Sequence, residues 1–168
     1  TCCNVRSMKG SLAMKTWPLS GDRPLILPAG HPGSFGFRRR FDVHTGIDLY
    51  CEDASLFRAI EAGTIVAVIP FTGPTAGSPW WNDTDAVLIE GESGVILYGE
   101  VEPIVEVGEV IEPGEVLGTV KTVLLKDKGR PMTMLHLELY VHGTREPIWW
   151  PLDVPQPEGL LDPIVLLF

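Results

Sequence analysis

The segment Phe41-Asp42-Val43-His44-Thr45-Gly46-Ile47-Asp48 places an imidazole and a carboxylate four positions apart. Both groups are ordinary zinc ligands, and to share one ion at ~2.0–2.2 Å their donor atoms must approach within a few ångströms. A straight strand would hold the two Cα atoms ~13 Å apart at ~3.3 Å per residue. Gly46, between them, supplies the bend that closes the gap. A third candidate, His136, lies in an alternating run: Leu135, Leu137, Leu139 and Val141 share one face, and Met134, His136, Glu138, Tyr140 and His142 share the other. The aliphatic face is the core face. His136 and Glu138 therefore project into either a cleft or solvent, and periodicity favours a polar outer face. In a second alternating run, Ile96, Tyr98, Glu100 and Glu102 fall together opposite Val95, Leu97, Gly99 and Val101. On that surface Glu100 could act as general base toward an activated water, with the Tyr98 hydroxyl stabilising an oxyanion.

The elements that position these groups read as strands. Short β-rich runs cover Thr64 to Ile69, Ala86 to Glu90, Gly94 to Val101, Val105 to Val110, Val116 to Leu125 and Met134 to Val141. Turn signals such as Glu92-Ser93-Gly94 and Glu112-Pro113-Gly114 separate them, which is the pattern of an all-β sandwich or barrel. Glu52 to Ala62 has helix-compatible composition, although a strand leading into Thr64 accommodates it equally. Residues 1–16 are polar and aperiodic and read as a poorly ordered leader, and Trp17 to Gly36, rich in Pro and Gly, reads as loop or extended edge. Residues 17–168 are expected to form one domain. With 168 residues, 45% hydrophobic, the chain is long enough to bury a core without disulfides. Its three cysteines, two of them adjacent, make no disulfide framework.

Charge narrows the partners. Residues 1–50 carry a net +4 and residues 51–168 a net −13, giving −9 in total. So acidic a body repels a phosphate backbone, which argues against nucleic acid. No apolar run approaches the ~20 residues of a transmembrane helix. Glu106, Glu109, Glu112 and Glu115 recur every three residues among Gly108, Pro113 and Gly114, and read as a solvated rim around a hairpin.

Taken in order, Gly33-Ser34-Phe35-Gly36-Phe37-Arg38, His44-Thr45-Gly46-Ile47-Asp48-Leu49, Ala59 to Val68, Leu97-Tyr98-Gly99-Glu100-Val101, Val107 to Gly118, Leu135-His136-Leu137-Glu138-Leu139 and Leu161-Asp162-Pro163 resemble the lysostaphin-type (LytM-like) zinc metalloendopeptidases that cut peptidoglycan cross-links. The resemblance implies an antiparallel, barrel-sandwich-hybrid-like metallopeptidase fold with long loops and an extracytoplasmic or cell-wall-associated location. It implies Zn²⁺ held by His44, Asp48 and His136. That family also carries two non-ligand histidines beside the metal, and here their positions fall on Glu100 and Met134. A thioether can neither take a proton nor donate a hydrogen bond to an oxyanion. Glu100 is then the one replacement base, with Tyr98 or an arginine assisting. The implied function is metal-assisted hydrolysis of cell-wall cross-link peptides. The alternative is a catalytically inactive module that keeps the fold to bind cell-wall peptide or a protein partner.

Further features are read beside these. Trp80-Trp81 and Ile148-Trp149-Trp150 lie in long loops, where paired tryptophans either stack on sugar rings or peptide planes or pack locally. Arg38, Arg39 and Arg40 either hold a substrate carboxylate or form a solvated basic turn. Cys51, three residues after Asp48, reads as a small buried thiol. The Val105 to Val120 hairpin also resembles lipoyl or biotinyl carriers, but its turn lacks the carrier lysine.

Overall fold

The computed structural model describes residues 14–21, 28 and 30–168. The expected leader over residues 1–13, and residues 22–27 and 29 of the expected loop, lie outside the described residues. The chain is nearly all β, and the described residues form nine strands in one antiparallel sheet: β1 (Ile47–Tyr50), β2 (Leu56–Arg58), β3 (Gly63–Thr72), β4 (Thr84–Gly91), β5 (Gly94–Pro103), β6 (Val110–Ile111), β7 (Val116–Val120), β8 (Met134–Tyr140) and β9 (Leu160–Leu161). Among the described residues the helical segments are two short 3₁₀ turns, Pro74–Ala76 and Pro163–Leu167.

The main order is β1-β8-β5-β4-β3-β6, with β9 added beside β8 and the β2–β7 pair attached to β5. Ile65, Val87, Ile89, Ile96, Tyr98 and the leucines of β8 look toward the larger core, where Phe57, Ile60, Leu117 and Val120 of the β2–β7 layer close over them. On the opposite face Ala86, Leu88, Val95, Leu97 and Tyr140 form a second cluster against Phe35, Phe71, Ile148 and Trp150. Burial on both faces explains why β8 is buried at every one of its seven residues. The face of His136 and Glu138 is therefore an interior one, and the solvent-facing reading favoured by periodicity does not hold.

β5 belongs to both layers. Its residues Val95 to Gly99 pair with β8, and Val101 to Pro103 pair with β7. The change of partner occurs at Glu100, where the register with β4 also slips, because Gly99 opposes Ala86 and Val101 opposes Asp85. Glu100 is thus the extra residue of a β-bulge, with φ +63°, and its carbonyl accepts from Lys121 N–H at 2.9 Å. Bulges bend a strand and redirect a side chain, and strands change layers at such points.

Some expected elements differ. Glu52 to Ala62 forms a turn and the three-residue β2, whose Phe57 is wholly buried, instead of a helix. Burying Phe57 against Tyr98 overrides helix-compatible composition. Val105 to Val110 is a turn with Gly108 at φ +95°, and pairing begins only at Val110 against Thr64. Glu106, Glu109, Glu112 and Glu115 are solvent-exposed, as a hydrated rim requires. β7 ends at Val120, five residues before the expected run does. β1 and β9 are strands that composition did not mark.

Candidate metal centre

Asp48 lies directly across from His136 in the β1–β8 ladder, so their side chains rise from the same face as cross-strand neighbours. Ile47 and Leu49, pointing the other way, anchor β1 in the core. His44 precedes β1, and the chain turns at Gly46 to bring its ring back over this pair. Gly46 serves close approach more than unusual dihedrals: a Cβ there would overlap the Leu137 carbonyl oxygen and sit 2.8 Å from the His136 ring.

Three donor atoms converge as a result. His136 Nδ1 lies 2.9 Å from Asp48 Oδ1, His44 Nε2 lies 3.3 Å from Asp48 Oδ1, and His44 Nε2 lies 3.3 Å from His136 Nδ1. Ligands at ~2.0–2.1 Å around a tetrahedral ion are separated by ~3.3 Å. The set therefore fits one face of a zinc tetrahedron, and all three residues are buried. Their ring tautomers suit the same purpose. His44 Nδ1 donates to the Ser34 carbonyl at 2.9 Å, which leaves Nε2 as the bare nitrogen facing the other two donors.

His136 stands between two carboxylates, Asp48 Oδ1 on Nδ1 and Glu138 Oε1 on Nε2 at 3.0 Å. Burial opposes the imidazolium, but the two carboxylates prevail and push its pKa up to about 10. Burial likewise works against ionised Asp48, yet the bonds from His136 and His44 hold it well below the usual carboxylate range. A metal ion would take the place of the proton on His136 Nδ1, the usual exchange at such sites.

Glu100 comes to this side through its bulge. Its Oε2 is enclosed and has no hydrogen-bond partner, and burial followed by the Asp48 charge pushes its pKa up to about 8. It lies outside the group of donors that meet within 4.8 Å, and is therefore a neighbour of the centre and not one of the three. Arg39 is close enough for its charge to counter part of that rise.

Tyr98 is not brought here. It faces the core on the opposite side of β5, packs on Phe57, and accepts from the Ile60 N–H at 2.9 Å. The bulge separates Tyr98 from Glu100, two residues that strict alternation had placed side by side. Met134 is buried on the site face of β8. The Phe71 ring lies over the His136 ring, with centroids 5.5 Å apart, in space that Gly99 leaves free because a Cβ there would come 2.5 Å from it.

The remaining candidates sit apart. His142 is exposed and donates to the Gly91 carbonyl, and Cys51 packs against the core with burial pushing its thiol up. Arg38 pairs with Asp153 at 2.8 Å on the surface, and Arg40 lies over the Phe41 ring. Trp80 and Trp81 pack on each other, whereas Trp150 packs on Phe35 and its carbonyl accepts from Val43 N–H. Sequence reasoning placed Glu138 on the right face but assigned it no partner. It is 2% exposed and accepts from His136, from Thr45 Oγ1 at 2.6 Å and from the Tyr140 hydroxyl at 2.5 Å.

No protein-family model and no curated protein matches this sequence. Among solved structures, the fold is similar to that of a protein of Pseudomonas aeruginosa assigned as a peptidase M23, with a TM-score of 0.53 and 18% identity over 94% of this chain and 51% of that one. Csd3 of Helicobacter pylori matches at TM-score 0.49 and 18% identity, over 84% of this chain and 36% of that one. The catalytic domain of a mutant of EnpA, a prophage-encoded M23 protein of Enterococcus faecalis, matches at TM-score 0.47 and 19% identity, over 88% of this chain and 95% of that one. The Pseudomonas match shows that the chain shares the fold of that M23 peptidase, and it spans about half of that protein's length.

Proposed function

We propose that this chain is a zinc-binding, peptidoglycan endopeptidase-like hydrolase acting on cell-wall cross-link peptides. The convergence of His44 Nε2, Asp48 Oδ1 and His136 Nδ1 at 2.9–3.3 Å is the observation that carries the reading. Zinc bound there supplies a Lewis acid that polarises a carbonyl and acidifies water. Glu100, enclosed and raised toward neutral pKa, accepts the proton of the attacking water. Arg39 offers positive charge beside the developing oxyanion. The substrate class comes from the ordered motifs shared with lysostaphin-type enzymes.

A second reading is a binding module without turnover, and it is favoured by Met134, which by the resemblance falls where the family carries a histidine and which cannot handle a proton, and by the Phe71 ring against His136. Metal content measured by mass spectrometry on chelator-treated and zinc-reconstituted protein, with His136→Ala as control, comes first. One zinc per chain, lost in the variant, supports the metal centre, and no zinc in either refutes it. Incubation of the reconstituted protein with purified cross-linked peptide fragments then separates the two readings. Zinc-dependent cleavage abolished by Glu100→Gln supports the enzyme; binding without product supports the module.

A further inference from the structure

Glu138 is a buried acid that neither ligates the proposed metal nor faces the reacting position, and a buried ionised carboxylate is costly unless fully bonded. Its bonding is complete. Oε1 accepts from His136 Nε2 and from Thr45 Oγ1, and Oε2 accepts from the Tyr140 hydroxyl, which itself accepts from the Ile148 N–H at 3.0 Å. These contacts span three pieces of chain: β8, the turn beside His44, and the loop that leads into Trp149 and Trp150. Thr45 adjoins one candidate ligand and His136 is another, so a single carboxylate ties together the two segments that carry the site.

The ring of His136 has two nitrogens, and only Nδ1 faces His44 and Asp48. The proton on Nε2 must stay in place for Nδ1 to present a lone pair. A carboxylate on Nε2–H fixes that tautomer, aligns the ring and increases the electron density of the ligating nitrogen. We propose that Glu138 is a positioning residue of the metal centre, the carboxylate of a carboxylate–histidine–metal triad, held in turn by Thr45 and Tyr140. This rests on His136 being a metal ligand.

The test measures zinc affinity by chelator competition on the purified 168-residue chain, with Co²⁺ absorption as a second reading of ligand geometry. Glu138→Gln keeps the shape and an acceptor oxygen but removes the charge, and Glu138→Ala removes both. A loss of ~10- to 100-fold in affinity is expected for Glu138→Ala, the range typical of outer partners of ligating histidines, with a smaller loss for Glu138→Gln. Tyr140→Phe and Thr45→Val, which leave the carboxylate in place with one donor fewer, should each shift affinity in the same direction by less. Because Glu138→Ala is liable to unfold, Glu138→Gln and Tyr140→Phe carry the decision, with thermal melts confirming their folding. Unchanged zinc affinity and an unchanged Co²⁺ spectrum in these two variants would overturn the proposal. Zinc retained by His136→Ala would instead sink the metal-site reading itself, so the two failures are distinct.

Discussion

Glu100 is in a position that should cost the fold stability, and the cost is open to measurement. A non-glycine residue in the left-handed region is disfavoured by roughly 1–2 kcal/mol, and Glu100 has φ +63°. Its enclosed, unpartnered Oε2 adds roughly 1–3 kcal/mol of unrepaid desolvation. Glu100→Gly removes both costs and gives back roughly 0.5–1 kcal/mol of unfolded-chain entropy. The expected net gain is about 2 kcal/mol, or a rise in Tm of about 4–8 °C for a chain of this size. The two contributions separate in Glu100→Gln, which keeps the dihedral and loses the charge. Glu100 has an ordinary pKa near 4.5 and is pushed up to about 8 in the folded chain, so between these values the folded state binds more protons than the unfolded one. The wild type should therefore lose stability relative to Glu100→Gln as pH rises from about 4.5 to about 8, and the difference should level off above that. Urea denaturation of chelator-treated protein at pH 4.5, 6, 7.5 and 9 measures this. A Glu100→Gly variant less stable than wild type at pH 9, or a wild type to Glu100→Gln difference that is flat with pH, would refute the reasoning.

Other substitutions test single contacts. Gly46→Ala drives a Cβ into the Leu137 carbonyl oxygen, and should destabilise by about 1–3 kcal/mol while lowering metal affinity, as thermal melts and chelator competition would show. Tyr98→Phe leaves the buried Ile60 N–H without its acceptor and should cost about 1–3 kcal/mol in urea denaturation with zinc stoichiometry unchanged; a loss of metal instead would place Tyr98 at the site. Leu137→Ala, at a wholly buried position beside Asp48's strand, should cost about 2–5 kcal/mol in the same assay.

The three convergent donors were legible through the ordered motifs that resemble lysostaphin-type enzymes; spacing by itself offered His44 and Asp48 as a pair and put His136 on an alternating strand without joining the two. The burial of Glu138 was not. Alternation tells which residues share a face but not what covers that face, and here Phe71 of β3 together with Phe35, Ile148 and Trp150 from distant loops covers it. The separation of Tyr98 from Glu100 was also hidden, since one extra residue in a strand reverses every later side chain without changing the residue types. β1 escaped notice because Ile47-Asp48-Leu49-Tyr50 is a four-residue alternation too short to stand out.

The position of β1 bears on the order in which the molecule assembles. It is an edge strand whose ladder is made with β8 alone, and the bonds that hold its polar face reach from Asp48 and His44 to a residue 88 and 92 positions later in the chain. Closing a loop of that length costs more chain entropy than pairing neighbouring hairpins, which favours the central hairpins pairing before these contacts. During synthesis, His44 and Asp48 emerge long before the imidazole that completes the cluster. The centre is therefore complete only when the first and eighth strands, far apart in the chain, have been brought side by side.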